Sequence, residues 1–339
     1  MAAEIAQQPD VLANQLAVAH GHIQKVARRL QELAPRFVVL AARGTSDHAA
    51  LFAKYLIEVK LGLPCGLASP STLTGYHARP ALEQVLWVSV SQSGASPDLV
   101  ESARTAAARG ALTLAVTNDP GSPLADASDL HIDVLAGPEL SVAATKTYTA
   151  QLQALWLLVD AWSGGRAEGV ADVPAAIRRV LDEPDLDGLA ARYRFVDRIV
   201  TVGRGFSYPT ARESALKLME TSYLSANAFS GADLLHGPLA MIDEDRPVVV
   251  CAPSGVGGDL LRPVLARLRD RGADTCLIGA DELAAEYQVT AHVPTPDVEE
   301  SLAPIVQIVP LQQLAHHLAV ARHRDPDQPR GLSKVTETR

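Results

Sequence analysis

Cysteine is scarce in this chain of 339 residues, with Cys65, Cys251 and Cys276 the whole supply. Three cysteines cannot complete a disulfide set, and none stands at metal-ligand spacing from another, which suits a reducing, cytoplasmic setting. Two of them fall in expected buried strands, where a thiol is inert core. Positive charge is short as well. Thirty Lys and Arg against 39 Asp and Glu leave a net charge of −9, which argues against binding nucleic acid or an anionic membrane through bulk electrostatics. Any phosphate must therefore be held locally. Apolar runs break well short of a membrane span, and a start carrying Glu4, Gln7, Gln8 and Asp10 does not read as a signal peptide. The lysine of the P-loop and the three-glycine dinucleotide pattern are both missing.

What is present is an ordinary globular composition, 47% hydrophobic and 20% charged, in a chain long enough for two domains. One stretch organises the rest. The apolar β-type run 84–90 ends in Ser91, Gln92, Ser93, Gly94 and Ser96, and a helical pattern then begins, with Asp98 and Glu101 in its first turns. Strand, hydroxyl-rich turn and helix N-terminus in that order make an anion cradle, because free N–H groups and the positive end of the helix dipole face outward. Serine hydroxyls and the Gln92 amide add donors, and Gly94 permits close backbone approach. The alternative is that Ser91 and Ser93 cap the following helix.

Taken in order, residues 1–34 read as a helical arm, then a strand at 37–41, the turn Arg43-Gly44-Thr45-Ser46-Asp47 and a helix over 48–59. A short strand near 65–68 and a loop over 69–81 precede the cradle strand. A helix over 97–109 and strands at 112–117 and 131–135 follow. The loop 136–147 leads to a long apolar helix ending at Trp162. Alternation of this kind means parallel, doubly wound α/β architecture. The same signals then return. Arg43-Gly44 reappears as Arg204-Gly205, Ser93-Gly94 as Ser254-Gly255, Gly110-Ala111 as Gly272-Ala273 and His131 as His292, all at offsets of 161 or 162. The chain is therefore read as a tandem duplication: an arm 1–34, domains 35–165 and 166–325, and a tail 326–339. In the second copy Cys251-Ala252-Pro253-Ser254-Gly255-Val256 lacks the hydroxyl cluster, so one phosphate site per chain is expected, in the first copy.

Three further features bear on chemistry. Lys217 and Glu220 lie three apart on one helical face, which by spacing alone also describes a surface ion pair. His236 stands in the turn-prone segment Gly231–Pro238, before an expected strand at 247–251, where a structural histidine is the simpler reading. Lys334 lies near the terminus, where tails ordinarily fray, yet Pro326, Pro329 and Gly331 preset a path.

Ser91-Gln92-Ser93-Gly94, the run 137–146 (GPELSVAATK), Ala215-Leu216-Lys217-Leu218-Met219-Glu220, His236-Gly237-Pro238 and Lys334 together resemble the tandem sugar isomerase (SIS) domains that form the isomerase half of glucosamine-6-phosphate synthase. Arg43-Gly44-Thr45-Ser46-Asp47-His48 and the 334–338 run (KVTET) are similar to the stand-alone glucosamine-6-phosphate deaminases of the SIS type. The resemblance covers nearly the whole chain, with the motifs in the family's order. It implies two flavodoxin-like α/β domains. It places the sugar phosphate on Ser91, Gln92, Ser93 and Ser96, and lines the sugar with Ser46 and the backbone at Val142 and Ser333. It makes Glu220 the base between C1 and C2, with Lys217 beside it, and His236 the ring-opening residue, supplied by a neighbouring subunit of a homodimer. Lys334 becomes the Schiff-base lysine. No metal and no organic cofactor are implied. Ser96 stands where the synthase has threonine, and Arg43 where bacterial synthases often have cysteine.

The residue types suit the task. A carboxylate can carry a proton between adjacent carbons, histidine titrates near neutrality, and a lysine amine can exchange with an imine. No glutaminase segment fits before residue 37, so the expected direction is glucosamine 6-phosphate to fructose 6-phosphate and ammonia. Galactosamine 6-phosphate and fructosamine-type adducts are the alternative substrates. A non-catalytic sugar-phosphate sensor is the alternative class, against which stand the retained Glu220, His236 and Lys334 and the lack of a DNA-binding helix pair.

Overall fold

The computed structural model of the protein describes residues 1–182 and 186–334. Residues 183–185 of the expected linker and 335–339, most of the closing motif, lie outside the described residues. The chain forms two compact units. The first unit comprises Asp10–Glu139, Lys146–Ala171 and residues 332–334; the second comprises Met1–Pro9, Leu140–Thr145 and Asp172–Gly331.

From the start of the chain run α1 (Ala2–Ala6), α2 (Gln8–Leu33), β1 (Phe37–Ala41), α3 (Thr45–Leu56), β2 (Cys65–Leu67), α4 (Pro70–Thr74), β3 (Val85–Val90), α5 (Pro97–Ala108), β4 (Leu112–Thr117), α6 (Pro123–Asp126), β5 (Leu130–Asp133) and α7 (Lys146–Trp162). The second half repeats the pattern. It holds α8 (Val173–Leu181), α9 (Leu186–Tyr193), β6 (Arg198–Gly203), α10 (Tyr208–Ser222), β7 (Ser225–Ser230), α11 (Gly231–Leu235), β8 (Val248–Ala252) and α12 (Val256–Asp259). It ends with α13 (Arg262–Asp270), β9 (Thr275–Gly279), α14 (Asp281–Tyr287), β10 (Ala291–Pro294) and α15 (Ala303–Ala321).

Each unit carries one five-stranded sheet, all parallel, ordered β2-β1-β3-β4-β5 in the first and β7-β6-β8-β9-β10 in the second. Relabelled by position in its own half, the second order is the first, which is the doubly wound arrangement of a flavodoxin-like fold. Central strands of such sheets are covered on both faces and read as unbroken apolar runs, as Val248–Ala252 does, buried at every residue. Below the first sheet Trp87, Leu99, Ala103, Ala115 and Leu124 form a core, and below the second Val202, Val250, Leu265, Leu268 and Leu277. Strand order reverses between β1 and β3 in one unit and between β6 and β8 in the other. Loops leaving the carboxyl ends of those pairs diverge and open the crevice where ligands of this fold class bind.

Where elements depart from the sequence reading, backbone conformation gives the reason. Gln84 takes φ +61° and so stands before β3, and Leu135 takes φ +53°, so β5 stops at Asp133. The helix expected over 48–59 runs from Thr45 to Leu56 and then widens to a π turn, Ile57–Leu61, ended by left-handed Gly62. Strand β7 carries the polar pattern Ser-Ala-Asn-Ala-Phe-Ser and lies at a sheet edge, so no apolar run announced it. All three cysteines are buried in strands, Cys65 in β2, Cys251 in β8 and Cys276 in β9.

In the first unit α2 is fastened by two buried glutamines. The amide of Gln15 donates to the carbonyls of Val134 (2.6 Å) and Ala150 (2.9 Å), and Gln153 donates to the Leu12 carbonyl and to Gln15 Oε1, both 2.9 Å. Gln15→Leu keeps bulk but leaves these acceptors without donors, and should cost roughly 1–3 kcal/mol in urea denaturation. Val18→Ala, at a position 64% exposed on the same helix, should change stability by less than about 0.5 kcal/mol; equal losses in the two variants would show that the glutamine network has no special part in holding α2.

Candidate active site

The crevice of the first unit is lined by the two segments that the sequence singled out. After β3 the chain turns through Ser91, Gln92, Ser93 and Gly94 into α5. Gly94 takes φ +61°, and a Cβ there would lie 2.2 Å from Ser122 Oγ, so only glycine fits. The Gly94 N–H donates to Ser91 Oγ (3.1 Å) and the Ala95 N–H to Ser93 Oγ (3.3 Å). Both serines therefore brace the turn rather than cap α5. Ser96 occupies the N-cap position with no side-chain cap bond, and Pro97 follows at the first helical position. Gln92, Ser93 and Ser96 are half-buried, within reach of a ligand.

The loop after β1 supplies two more groups. Ser46, in the first turn of α3, is buried and accepts a hydrogen bond from the Gln151 amide at 3.0 Å. Arg43 grips Asp98 through Nε (3.0 Å) and a terminal guanidinium nitrogen (2.8 Å). Asp98 is 3% exposed in the first turn of α5, where a bare carboxylate would repel an anion at the helix start; Arg43 neutralises it. Arg43, the departure from the synthase pattern, is thus tied to the start of α5.

The same unit holds Lys334. Its ammonium meets Glu139 Oε2 at 3.0 Å, and Glu139 Oε1 accepts from the Thr147 N–H at 3.1 Å. The Glu139 side chain is fully enclosed and that of Lys334 is 25% exposed. The tail is thus held rather than frayed at this residue. For Lys334 to attack a carbonyl its proton must first leave, and Glu139 is the acceptor in contact. Ser333 beside it is exposed.

In the second unit α10 presents Glu213, Lys217 and Glu220 in one stripe. The Lys217 ammonium, fully buried, lies 3.2 Å from Glu213 Oε1 and 2.5 Å from Glu220 Oε2. Burial disfavours its charge, but the two carboxylates outweigh that and hold its pKa above the ordinary lysine value. Lys217 is a fixed cation, not a proton shuttle. The surface-pair reading fails here, because the Lys217 side chain is enclosed and a second carboxylate, Glu213, flanks it one turn earlier. Glu213 is enclosed, whereas Glu220 keeps 21% of its side chain exposed and so can meet a substrate.

His236 follows the last turn of α11 and is exposed, its N–H donating to the Asp233 carbonyl at 3.1 Å. Among the described residues no hydrogen bond or ion pair joins it to Glu220. Val142 gives its N–H to the Asp327 carbonyl at 3.2 Å, so a sugar contact there would fall to its carbonyl.

In the second unit the corresponding turn is occupied by a side chain of the protein itself. The N–H groups of Val256 and Gly257 donate to the two oxygens of Glu300, at 2.9 and 2.8 Å, and a Cβ on Gly255 would lie 2.6 Å from that carboxylate. A protein carboxylate sits where the first unit's loop stands open, consistent with one phosphate site per chain. Glu139 and Glu300 are 161 residues apart, the repeat offset itself; that coincidence would have flagged both.

Lys217→Met should strand Glu213 and Glu220 and cost about 3–5 kcal/mol. A raised lysine pKa gives stabilisation that is fully present below the ordinary value of 10.5 and is lost only as pH rises through the folded value. Wild-type unfolding should therefore show no Lys217 titration between about pH 5 and 9, while the variant should gain stability as acid protonates its carboxylates. A variant as stable as wild type at pH 8 would show the pair to be solvated.

The sugar isomerase family, described as SIS domain, matches residues 35–161 and 193–322. A glutamine–fructose-6-phosphate aminotransferase (isomerizing) of Gloeobacter violaceus is 38% identical over 356 residues, covering 98% of this chain and 58% of that protein. The chain thus spans little more than half the length of that relative. Among solved structures, the C-terminal domain of glucosamine-fructose-6-phosphate aminotransferase from Francisella tularensis superimposes with a TM-score of 0.88 at 29% identity, over 96% of this chain and 97% of that one. A candidate phosphosugar isomerase from Silicibacter pomeroyi gives 0.84 at 34% identity, over 96% and 99%. With its two matched halves, its repeated sheets and its serine loop at the first switch point, the chain belongs to the SIS domain family.

Proposed function

We propose that the protein is an amino-sugar-phosphate isomerase working as a deaminase, taking glucosamine 6-phosphate to fructose 6-phosphate and ammonia. The observation that carries this reading is Glu220, a partly exposed carboxylate anchored to a buried, permanently charged lysine in a chain of this family. Such a group is a base whose position is fixed and whose second oxygen is available. Ser91, Gln92, Ser93 and Ser96 take the phosphate, remote from the reacting carbons, so that its binding energy orients the sugar. Ser46 and the backbone at Val142 and Ser333 contact the sugar hydroxyls. His236 exchanges the proton that opens the ring. Glu220 lifts a proton from C2 and returns it to C1, while a proton passes from the C2 amine to the C1 oxygen, which leaves an imine at C2. The Lys334 amine, once its proton has passed to Glu139, attacks the C2 imine and expels ammonia, and water then releases the ketose and restores the amine.

The deaminating direction rests on the likeness of residues 43–48 to the stand-alone deaminases. The relatives named as aminotransferases make the amino sugar, so both directions belong in the test. Purified protein should release ammonia and fructose 6-phosphate from glucosamine 6-phosphate. Galactosamine 6-phosphate and 6-phosphorylated fructosamines should react more slowly, and binding of all of them without turnover would mean a sensor. Formation of amino sugar from fructose 6-phosphate with added ammonia, and no release, would reverse the direction. Glu220→Gln should lower kcat by roughly 10²–10⁴ and abolish exchange of C2 deuterium with solvent; persistent exchange would assign the base elsewhere. The free, buried cysteines suit a cytoplasmic enzyme, and among the described residues no helix is long and apolar enough to cross a membrane.

The same reading makes the active unit a homodimer in which His236 serves the partner's site. The exposure of His236 supports it, as does the lack, among the described residues, of a hydrogen bond or ion pair joining it to Glu220. Mixing Glu220→Gln with His236→Ala chains, after demonstrated subunit exchange, should restore about a quarter of wild-type activity, because half the dimers are mixed and each has one intact site. Complete exchange with no recovery would place both residues in one chain's site.

A further inference from the structure

Glu4 is 7% exposed on α1, a helix of only five residues. Burying a carboxylate is costly unless donors meet it, and local packing does not require an acid here. What meets it is distant in sequence. Glu4 Oε1 accepts from the N–H groups of both Leu140 and Ser141, the latter at 3.2 Å. Its Oε2 lies 3.4 Å from the amino group of Met1, which also pairs with the Asp327 carboxylate. One residue beyond Ser141, the Val142 N–H reaches the Asp327 carbonyl. Three segments of the second unit are therefore linked around Glu4: Met1–Pro9 and Leu140–Thr145 by direct contact, and the start of the tail through the Met1 amino group and the Val142 N–H. The tail is guided onward by Tyr223, whose hydroxyl accepts from the Arg330 N–H at 2.9 Å and whose ring carries the Arg330 guanidinium at 4.4 Å. Lys334 follows four residues later.

We propose that Glu4 is a positioning residue: its carboxylate sets the loop 140–145 and the tail from Asp327, and so the backbone at Val142 and the path to Lys334. The consequence for turnover rests on the isomerase reading above; the holding of loop and tail does not. Hydrogen bonds to an ionised acceptor are about twice as strong as neutral ones, which suits a clamp on a loop with little secondary structure of its own. In this role Glu4 touches no substrate and acts through Val142 and the tail.

The test compares full-length wild type, Glu4→Ala and Glu4→Gln. Hydrogen exchange at the Leu140 and Ser141 amides should quicken at least about tenfold in Glu4→Ala, the loss of a charged hydrogen bond, and segment 327–334 should loosen with it. Glu4→Gln keeps an acceptor oxygen and should lie within about threefold of wild type, which also serves if the alanine variant does not fold. In kinetics Glu4→Ala should lose about tenfold in kcat/KM for glucosamine 6-phosphate, while inhibition by inorganic phosphate, which reads the serine loop, stays unchanged. General destabilisation would weaken both. Unchanged exchange at 140 and 141 would overturn the proposal, as would faster exchange at 140 and 141 with no loosening of 327–334. Faster exchange with unaltered kcat/KM would remove its catalytic consequence. If wild type turns over none of the sugars, the isomerase reading fails, and the exchange comparison alone still decides whether Glu4 holds the loop.

Discussion

An ammonium cannot be buried alone, and the second unit is built around one that is not. Lys217 is enclosed between Glu213 and Glu220 on the inner face of α10, so three positions of that helix are fixed by charge before any substrate is considered. The helix must then be covered, and α15 does so. Thr221, one turn on, donates its hydroxyl to the Lys217 carbonyl at 2.8 Å and approaches the Ala315 carbonyl at 3.3 Å. Two carboxylates around one cation leave an excess negative charge, and the exposure of Glu220 against the closure of Glu213 decides where that excess meets water. Glu220 is thus open to solvent at one end and anchored at the other.

The first unit poses a different problem, shaping the serine turn after β3 without a lysine in it. Its means are a left-handed glycine wedged against Ser122, hydroxyls that brace the turn, and an arginine that cancels the acid at the start of α5. An anion bound this way depends on backbone donors whose direction is set by the switch in strand order. In a chain with a net charge of −9, the phosphate site proposed above therefore rests on local geometry and not on bulk charge.

Much of this was legible in the sequence. The order of strands and helices, the repeat at 161 and the contrast between the two serine turns all follow from apolar runs and turn residues, and the structure has them. Edges were less legible. Leu135 and Gln84 take positive φ, which their side chains do not advertise, and β7 hides in a polar run at the sheet margin. The Lys217–Glu220 pair was visible as a spacing, but its burial was not, because burial comes from α15 some ninety residues later. Glu139 lies inside the 137–146 motif, but its partner Lys334 is 195 residues away, so no local pattern announces the pair. Glu4 gave no local signal at all: its partners are 136 and 137 residues away.

The repeat also constrains how such a chain can change. Glu300 satisfies the donors of the second turn from within, and it does so at the position that in the first copy, as Glu139, faces a lysine instead. Serines gained between 252 and 257 would meet a turn whose Val256 and Gly257 N–H groups already hold that carboxylate, and losing the carboxylate would free both donors, one of them on the exposed Val256. An open turn in the second half therefore needs the loss of Glu300 as well as the gain of hydroxyls. Two changes, not one, separate the halves at this point, so neither change by itself makes the second turn like the first.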